Sequence, residues 1–447
     1  MTDNVNTIKK NSLGLIFTLS IPLVTTAQVT QKPNIIIIYT DDQGTLDAGC
    51  YGARDLLTPN IDRLAAEGIR FTRFYGAPVS SVSRASLMTG QFSLRNKVIS
   101  NVGGNNYMRS EVTTLPEVLK ENGYNTALIG KWHLGSVDGA RPNQQGFDYF
   151  FGHLDGCIDN YSHFFYWGGP NRHDLWRNET QVYNDGQYFP DQLIRELKNY
   201  INQNRSEPFF IYWASNMPHY PLQPRERWLE HYNAKKTPYP RNLYNAFLST
   251  FDEIVGELLD FLENEELREN TIIVFQSDNG HSVEERNHFG GGYSGPYRAA
   301  KFSLFEGGIR VPAIISYPKE LPQEEVRDQM AMNIDWFPTL LELCGVSYNQ
   351  EEIDGKSLLP LIQESTSQSS HNVLFFDSGN QWAVMQDEWK LIYKPQDPTL
   401  NEQIIDTLYL TNIKEDIGEV VNYAEKSKDK VNELLQLRRE FEAKNRR

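Results

Sequence analysis

Two short pairs of polar residues stand where a buried chain has little reason to place them. Asp41-Asp42 follows the run Ile35-Ile36-Ile37-Ile38-Tyr39, and Asp278-Asn279 follows Thr271-Ile272-Ile273-Val274-Phe275 after two intervening residues. Adjacent carboxylates are costly unless positive charge lies beside them. Both pairs offer oxygen ligands only, a set that suits a hard cation, Ca²⁺ or Mg²⁺, rather than zinc. Singly, each pair has an ordinary reading, since Asp-Asn-Gly is a common turn and Asp-Asp a common helix cap. Their like placement after two apolar runs is what favours a metal. A third segment, Ala77 to Gly90, is Ser-rich at its start and carries Arg84 four residues after Ser80. Ser80, Ser81 or Ser83 could simply cap a helix. The other reading is a nucleophile at a helix N-terminus, where backbone amides and the helix dipole favour an anion.

These side chains need a scaffold, and the sequence outlines one. The two apolar runs read as strands buried on both faces, as in a parallel sheet. Thr126 to Gly130, Phe209 to Ala214 and Pro312 to Tyr317 read as further strands. Helices are expected from Thr58-Pro59-Asn60 through Ala66, from Thr113-Thr114-Leu115-Pro116-Glu117 to a stop at Gly123, over Asp191 to Asn202, and over Asn242 to Glu263. Alternating strands and helices predict an α/β fold: a large mixed, mostly parallel sheet sandwiched by helices. Such sheets bind ligands at the carboxyl ends of their strands, where both acidic pairs fall.

After about Ser365 the pattern changes. Gln363 to Ser370 is Ser/Gln-rich and reads as a linker. Val373–Phe376, Trp382–Gln386, Trp389–Tyr393 and Thr407–Leu410 read as short strands, followed by a charged helix from about Tyr423 to Lys444. The expected organisation is a signal segment (1–27), a catalytic α/β domain (28–365) and a small antiparallel sheet with a terminal helix (366–447).

Seven segments then occur in order: Asp41-Asp42; Ser80 to Gly90; Gly130-Lys131-Trp132-His133-Leu134-Gly135; Gly146-Phe147-Asp148-Tyr149-Phe150-Phe151-Gly152; Pro218-His219-Tyr220-Pro221; Asp278-Asn279-Gly280; and Lys301 through Pro312. Together they resemble the type I, formylglycine-dependent sulfatases of the alkaline phosphatase superfamily, over about residues 33 to 425. Tyr161-Ser162-His163 and the Lys301 segment resemble the N-acetylgalactosamine-4-sulfatase and arylsulfatase branch somewhat more than others.

The resemblance implies hydrolysis of sulfate monoesters, most readily on sulfated carbohydrate such as a galactose or N-acetylgalactosamine sulfate. It implies that a maturase converts Ser80 to formylglycine, whose hydrate attacks sulfur. It assigns Asp41, Asp42, Asp278, Asn279 and residue 80 to a Ca²⁺ ion and has Arg84 steady them. Lys131 and Lys301 would bind sulfate oxygens, His219 would be the general acid for the leaving alcohol, and His133 would accept a proton as sulfate departs. Val82 departs from the family pattern, which has Pro or Ala there. His281 reads equally as a substrate contact or as a loop residue. Asp155, Asn160, His163, Arg172 and His173 lie in an insert with Tyr161, Phe164, Tyr166 and Trp167, a mixture that suits sugar faces or a loop packed on itself. Two other functional readings remain beside the sulfatase: a phosphohydrolase using unmodified Ser80, and a sulfoglycan-binding protein without catalysis.

Composition narrows the classes further. With 43 Lys+Arg against 58 Asp+Glu the net charge is −15, which argues against a nucleic-acid binder. Three cysteines, Cys50, Cys157 and Cys344, allow at most one disulfide and give no CxxC zinc pair. At the N-terminus, Lys9-Lys10, an apolar run from about Leu13 to Val24, and Thr25-Thr26-Ala27 have the order of a secretory signal cut after Ala27. The run is short and interrupted by Pro22, and no cysteine follows it. A periplasmic or secreted protein without a membrane anchor is the expectation.

Overall fold

The apolar, β-branched runs form the centre of a ten-stranded sheet in the computed structural model, which describes residues 1–2, 32–103 and 106–445. The expected signal segment falls, apart from its first two residues, outside the described residues. From Lys32 on, the described residues make one compact unit. In chain order its first half carries β1 (Asn34–Thr40), α1 (Pro59–Ala66), β2 (Ile69–Phe71), α2 (Ser80–Thr89), α3 (Leu115–Glu121), β3 (Asn125–Lys131) and β4 (Tyr149–His153). There follow β5 (Trp176–Arg177), β6 (Thr180–Gln181), α4 (Phe189–Asn204), β7 (Phe209–Ala214), α5 (Arg241–Asn264) and β8 (Thr271–Ser277). Then come β9 (Ala313–Ser316), β10 (Glu325–Arg327) and α6 (Trp336–Leu343).

The strand order is β10-β2-β9-β8-β1-β7-β3-β4-β5-β6. The five central strands, β8 through β4, run parallel to one another. The expected strand over Pro312 to Tyr317 is β9, and it pairs antiparallel with β8. In β1, Ile35, Ile37 and Tyr39 face one apolar core, built with Leu87, Trp336 and Leu340; Ile36 and Ile38 face the other, built with Leu64, Phe247 and Leu258. Burial on both faces explains why the strand is apolar throughout rather than alternating.

Local signals set the helix ends. Thr114 and Glu117 make a reciprocal capping box at the start of α3, and Gly123 follows its end at a positive φ of 83°. At α1 the Thr58 side chain does not cap. Asp252 of α5 instead accepts the backbone N–H groups of Asn60 and Ile61, tying the two helices together.

The C-terminal region forms a four-stranded antiparallel sheet, β11 (Val373–Ser378), β12 (Gln381–Gln386), β13 (Trp389–Tyr393) and β14 (Leu408–Asn412), and α7 (Lys428–Asn445). The helix starts later than the charge pattern predicts. Tyr423 donates its N–H to Leu410, and Asn422 accepts from the N–H groups of Leu410 and Ala424, so residues 422–424 are held as a turn against β14. One face of this sheet packs Leu374, Phe376, Ile392 and Tyr409 on Tyr75, Phe305 and Ile309 of the larger sheet's side. Cys50, Cys157 and Cys344 are all free thiols. No helix among the described residues is long and apolar enough to cross a membrane.

Candidate active site

The parallel strands deliver their next residues to one edge of the sheet. Asp41 and Asp42 follow β1, Asp278 and Asn279 follow β8, Lys131 ends β3, His153 ends β4, and His219 lies a few residues beyond β7. The Asp41 N–H bonds to Met217 and the Asp278 N–H to Thr40, so the three strand exits brace one another. Asp42 holds φ at 64°, a left-handed value that aspartate tolerates better than most side chains.

Against this edge α2 points its first turn. Val79, not a serine, is the N-cap, and no side chain caps the helix. The capping reading of the serines therefore fails, because their hydroxyls are engaged elsewhere. Ser80 Oγ donates to Asp278 and lies 3.1 Å from Asp41 Oδ1. Ser81 donates to the His133 carbonyl, and Ser83 meets the Tyr39 hydroxyl at 2.9 Å. Val82 is buried against Ala77, Val79 and Phe302.

The positive partners that paired carboxylates require are present. Lys131 Nζ is 2.6 Å from Asp41 Oδ2 and donates to Ser80 Oγ at 3.1 Å. Arg84 donates to Asp278 at 2.9 Å and to the Tyr212 hydroxyl at 3.3 Å. Lys301 Nζ is 2.9 Å from Asp42. Three buried carboxylates thus face three buried cations. Burial would raise the Asp41 carboxyl, but Lys131, then His219 and Arg84, hold it below its ordinary value. Burial brings Lys131 down from its ordinary value against the pull of Asp41. Lys301 goes up, because Asp42 and Glu284 outweigh its burial.

The site also fits a hard cation. Asp41, Asp42, Asp278, Asn279 and Ser80 offer oxygen atoms only, and Asn279 Oδ1 is buried without a hydrogen-bond partner while its Nδ2 donates to Asp42 at 2.7 Å. A buried amide oxygen with nothing to accept from, beside three carboxylates, matches a Ca²⁺ or Mg²⁺ donor set, and among the described residues the His219 imidazole is the one nitrogen ligand within reach of Asp41 and Asp42.

In front of this cluster lies a cavity of about 150 Å³, lined among others by Lys131, His133, His219 and Lys301. His219 Nδ1 donates to the Tyr220 carbonyl at 2.7 Å, which leaves Nε2 toward Asp42, 3.7 Å away. Burial lowers the His219 pKa although Asp41 opposes it. His133 is lowered well below its usual value by burial and by Lys131, so it is neutral at neutral pH. Gly156 lies flat against this ring: a Cβ at 156 would come within 2.9 Å of His133 Cε1 and Nε2.

All the sequence-predicted catalytic and metal residues therefore converge. His281 does not line the cavity. It is buried near Asp47 and Arg241, and its carbonyl accepts the Lys301 N–H at 2.9 Å, fixing the backbone from which Lys301 reaches Asp42. Several residues that the sequence did not single out are present. Asn101, Cys157, Glu284 and Phe302 line the cavity, and His153, paired in register with Lys131, is buried beside the cluster. For Cys157, Glu284 and His153 only a position at or after a strand end could have flagged them; Asn101 and Phe302 follow no strand. From the insert, Asp155, Phe165 and Trp167 reach the cavity, and Arg286 lies over the Trp167 ring at 4.4 Å.

Comparison with known proteins agrees with this constellation. The Sulfatase family model matches residues 33–346, and the model described as N-sulphoglucosamine sulphohydrolase, C-terminal, matches 299–443. The chain belongs to the sulfatase family and is a sulfuric ester hydrolase. N-acetylgalactosamine-6-sulfatase of Canis lupus familiaris is 34% identical over 374 residues, covering 77% of this chain and 69% of that protein. Arylsulfatase J of Mus musculus is 32% identical, covering 75% of this chain and 56% of its own length. Among solved structures, Ps i-CgsB in complex with k-i-k-neocarrahexaose superimposes with a TM-score of 0.82 at 30% identity, covering 93% of this chain and 94% of that one.

Proposed function

We propose that this sulfatase removes sulfate from a terminal sugar of a sulfated carbohydrate, with residue 80 as formylglycine and Ca²⁺ held by Asp41, Asp42, Asp278, Asn279 and residue 80. The observation that carries the reading is Ser80: its hydroxyl sits at the first turn of α2 between two carboxylates, within 3.1 Å of the cavity-lining Lys131. A sulfate monoester resists attack because its own oxygens repel nucleophiles. When bound, Ca²⁺ neutralises those oxygens and polarises the S–O bonds, and the hydrated aldehyde at 80 supplies the attacking hydroxyl. Lys131 and Lys301 hold sulfate oxygens by charge. Arg84, pinned by Asp278, Tyr212 and the Tyr39 ring, fixes the carboxylates and residue 80 in place. His219, as the imidazolium that Asp41 and Asp42 favour against its burial, keeps its Nδ1–H on the Tyr220 carbonyl and gives its Nε2 proton to the departing sugar oxygen. His133, kept neutral, takes a proton from residue 80 as sulfate leaves.

The carbohydrate is supported by Phe165, Trp167 and Tyr220 on the cavity wall, rings that suit sugar faces, by a relative named N-acetylgalactosamine-6-sulfatase, and by a solved relative in complex with k-i-k-neocarrahexaose. The small cavity supports a chain-end sugar. The N-terminal segment supports export to the periplasm or exterior, and a maturase acting on the Ser80 segment is the implied partner.

The test is the mass of the tryptic peptide Phe74–Arg84 from protein made in its native host, together with turnover of a sulfated-sugar panel before and after chelation. The expected result is a peptide lighter by two hydrogens, and activity lost to chelator and restored by Ca²⁺. An unmodified serine with Ca²⁺-independent phosphoester turnover would instead establish the phosphohydrolase reading. Tight sulfosugar binding with no turnover would establish a binding protein.

A further inference from the structure

The insert between β4 and α4 forms one wall of the cavity through Asp155, Gly156, Cys157, Phe165 and Trp167. Three of its residues, far apart in sequence, meet at one point. His173 Nε2 is 3.2 Å from Asp185 Oδ1, His163 Nδ1 is 4.0 Å from the same oxygen, and the three donor atoms lie within 4.8 Å of one another.

His163 is the telling member. Its side chain is 0% exposed, and Nδ1 has no hydrogen-bond partner. A buried, unpaired polar atom is costly. The other ring nitrogen, Nε2, lies 3.0 Å from the Gln187 carbonyl. Gln192 Nε2 is equally close to that nitrogen but has the same carbonyl as an acceptor at 3.1 Å. With its proton on Nε2 and donated to Gln187, the ring leaves a bare Nδ1 lone pair toward Asp185. Metal-bound histidines characteristically donate their second nitrogen to a carbonyl in this way. The backbone is held to match: His163 sits at φ 59°, its N–H donates to Asp159 and its carbonyl accepts from Asp174.

We propose that His163, His173 and Asp185 bind one Zn²⁺-class transition-metal ion, separate from the all-oxygen cluster at Asp41, Asp42 and Asp278. Two imidazoles and a carboxylate are a borderline donor set, which suits zinc and not Ca²⁺. In a tetrahedral site with bonds of about 2.0–2.1 Å, ligand atoms stand about 3.4 Å apart. The 3.2 and 4.0 Å separations bracket that value, and Asp185, whose side chain is 63% exposed, is free to close the longer one. The fourth position falls to water. The ion joins the loop at 163, the returning strand of the hairpin Phe164–Phe165/Arg172–His173, and the turn before α4. That hairpin carries Phe165 and Trp167 to the cavity, so the ion staples the wall that meets the sugar.

The experiment uses the full chain, stripped with chelator and resupplied with excess Ca²⁺ to fill the oxygen cluster, then titrated with Zn²⁺ alone. One Zn²⁺ per chain is expected, with a rise in Tm. Co²⁺ in its place is expected to give the visible absorption of a four-coordinate, nitrogen-ligated ion. Asp185→Asn, at an exposed position, and His173→Gln each weaken Zn²⁺ binding by at least about tenfold with the far-ultraviolet circular dichroism unchanged. Asp278→Asn leaves it intact. The proposal is overturned if the wild type takes up no stoichiometric Zn²⁺, if binding persists in both insert variants, or if Asp278→Asn abolishes it.

Discussion

His219 and His133 differ in what surrounds them, and the proposed roles of acid and base rest on that difference. His219 faces Asp42 with its Nε2, whereas burial, and then Lys131, Arg84 and Lys301 around it, hold His133 well below its ordinary pKa. Replacing the acid matters only when the leaving group needs a proton. His219→Ala is therefore expected to lower kcat on a sugar sulfate by about 10²–10⁴-fold, yet to cost far less on nitrophenyl sulfate, whose phenolate departs unaided. Equal losses on both substrates would remove His219 from the acid role. Gly156 permits the His133 ring to lie where it does. Gly156→Ala should displace that ring and lower kcat while leaving Tm nearly unchanged; unaltered kinetics would show that the ring position is not critical. At this scale the sequence was most legible, because Asp41, Asp42, Ser80, Arg84, Lys131, Asp278 and Asn279 belong to short contiguous motifs. Gly156, Cys157 and Glu284 were not, since each acts through a contact that only the folded chain brings about.

Strands and helices were readable wherever one physical signal dominated. β1, β7 and β8 are buried on both faces, so their composition alone marks them, and α3 carries its capping box in four residues. Signals that compete with a tertiary bond were ambiguous or misled: the serines of the first turn of α2 could be read as caps or as a nucleophile, and the charged stretch before α7 read as helix until β14 took its polar groups. No sequence pattern marks how β13 is fixed to the larger sheet. Lys390, on that strand, is buried between Glu306 at 2.7 Å and Glu419 at 2.8 Å. Lys390→Met would strand two buried carboxylates and should destabilise the protein by about 3–5 kcal/mol, seen as a lower midpoint in denaturant. Restoration by adding Glu419→Gln would confirm that the loss is one of charge; a loss that persists in the pair would point to packing. Burial, with Glu306 beside it, pushes the Glu419 carboxyl up to about 7 against the pull of Lys390, from an ordinary 4.5. Between those values the folded chain keeps a proton that the unfolded chain has released. Stability from this group is present at low pH and lost as pH rises through about 7. Glu419→Gln should flatten that slope in Tm measured between about pH 5 and pH 8, and an unchanged slope would place the titration elsewhere.

Across the whole molecule two charge patterns oppose each other. The chain carries −15 overall, yet Lys131 and Lys301 present ammonium groups to a cavity of about 150 Å³. A single sulfated sugar inside the cavity meets mainly the local cations. A long sulfated polymer must also lay its remaining charge along an acidic surface. The Debye length falls from about 30 Å at 0.01 M salt to about 8 Å at 0.15 M, so added salt screens the distant repulsion strongly and the contacts inside the cavity much less. The two substrates should therefore respond with opposite sign. For a monosaccharide or a short oligosaccharide, KM is expected to rise modestly with salt as the pull of the two lysines is screened. For the intact polymer, KM is expected to fall over the same range as the surface ceases to repel it. Measuring both at fixed Ca²⁺ separates them, since any effect of salt on the ion is common to the two series. A polymer that binds best at low salt would mean that a basic track leads to the cavity, and the enzyme would then be acting within chains and not at their ends.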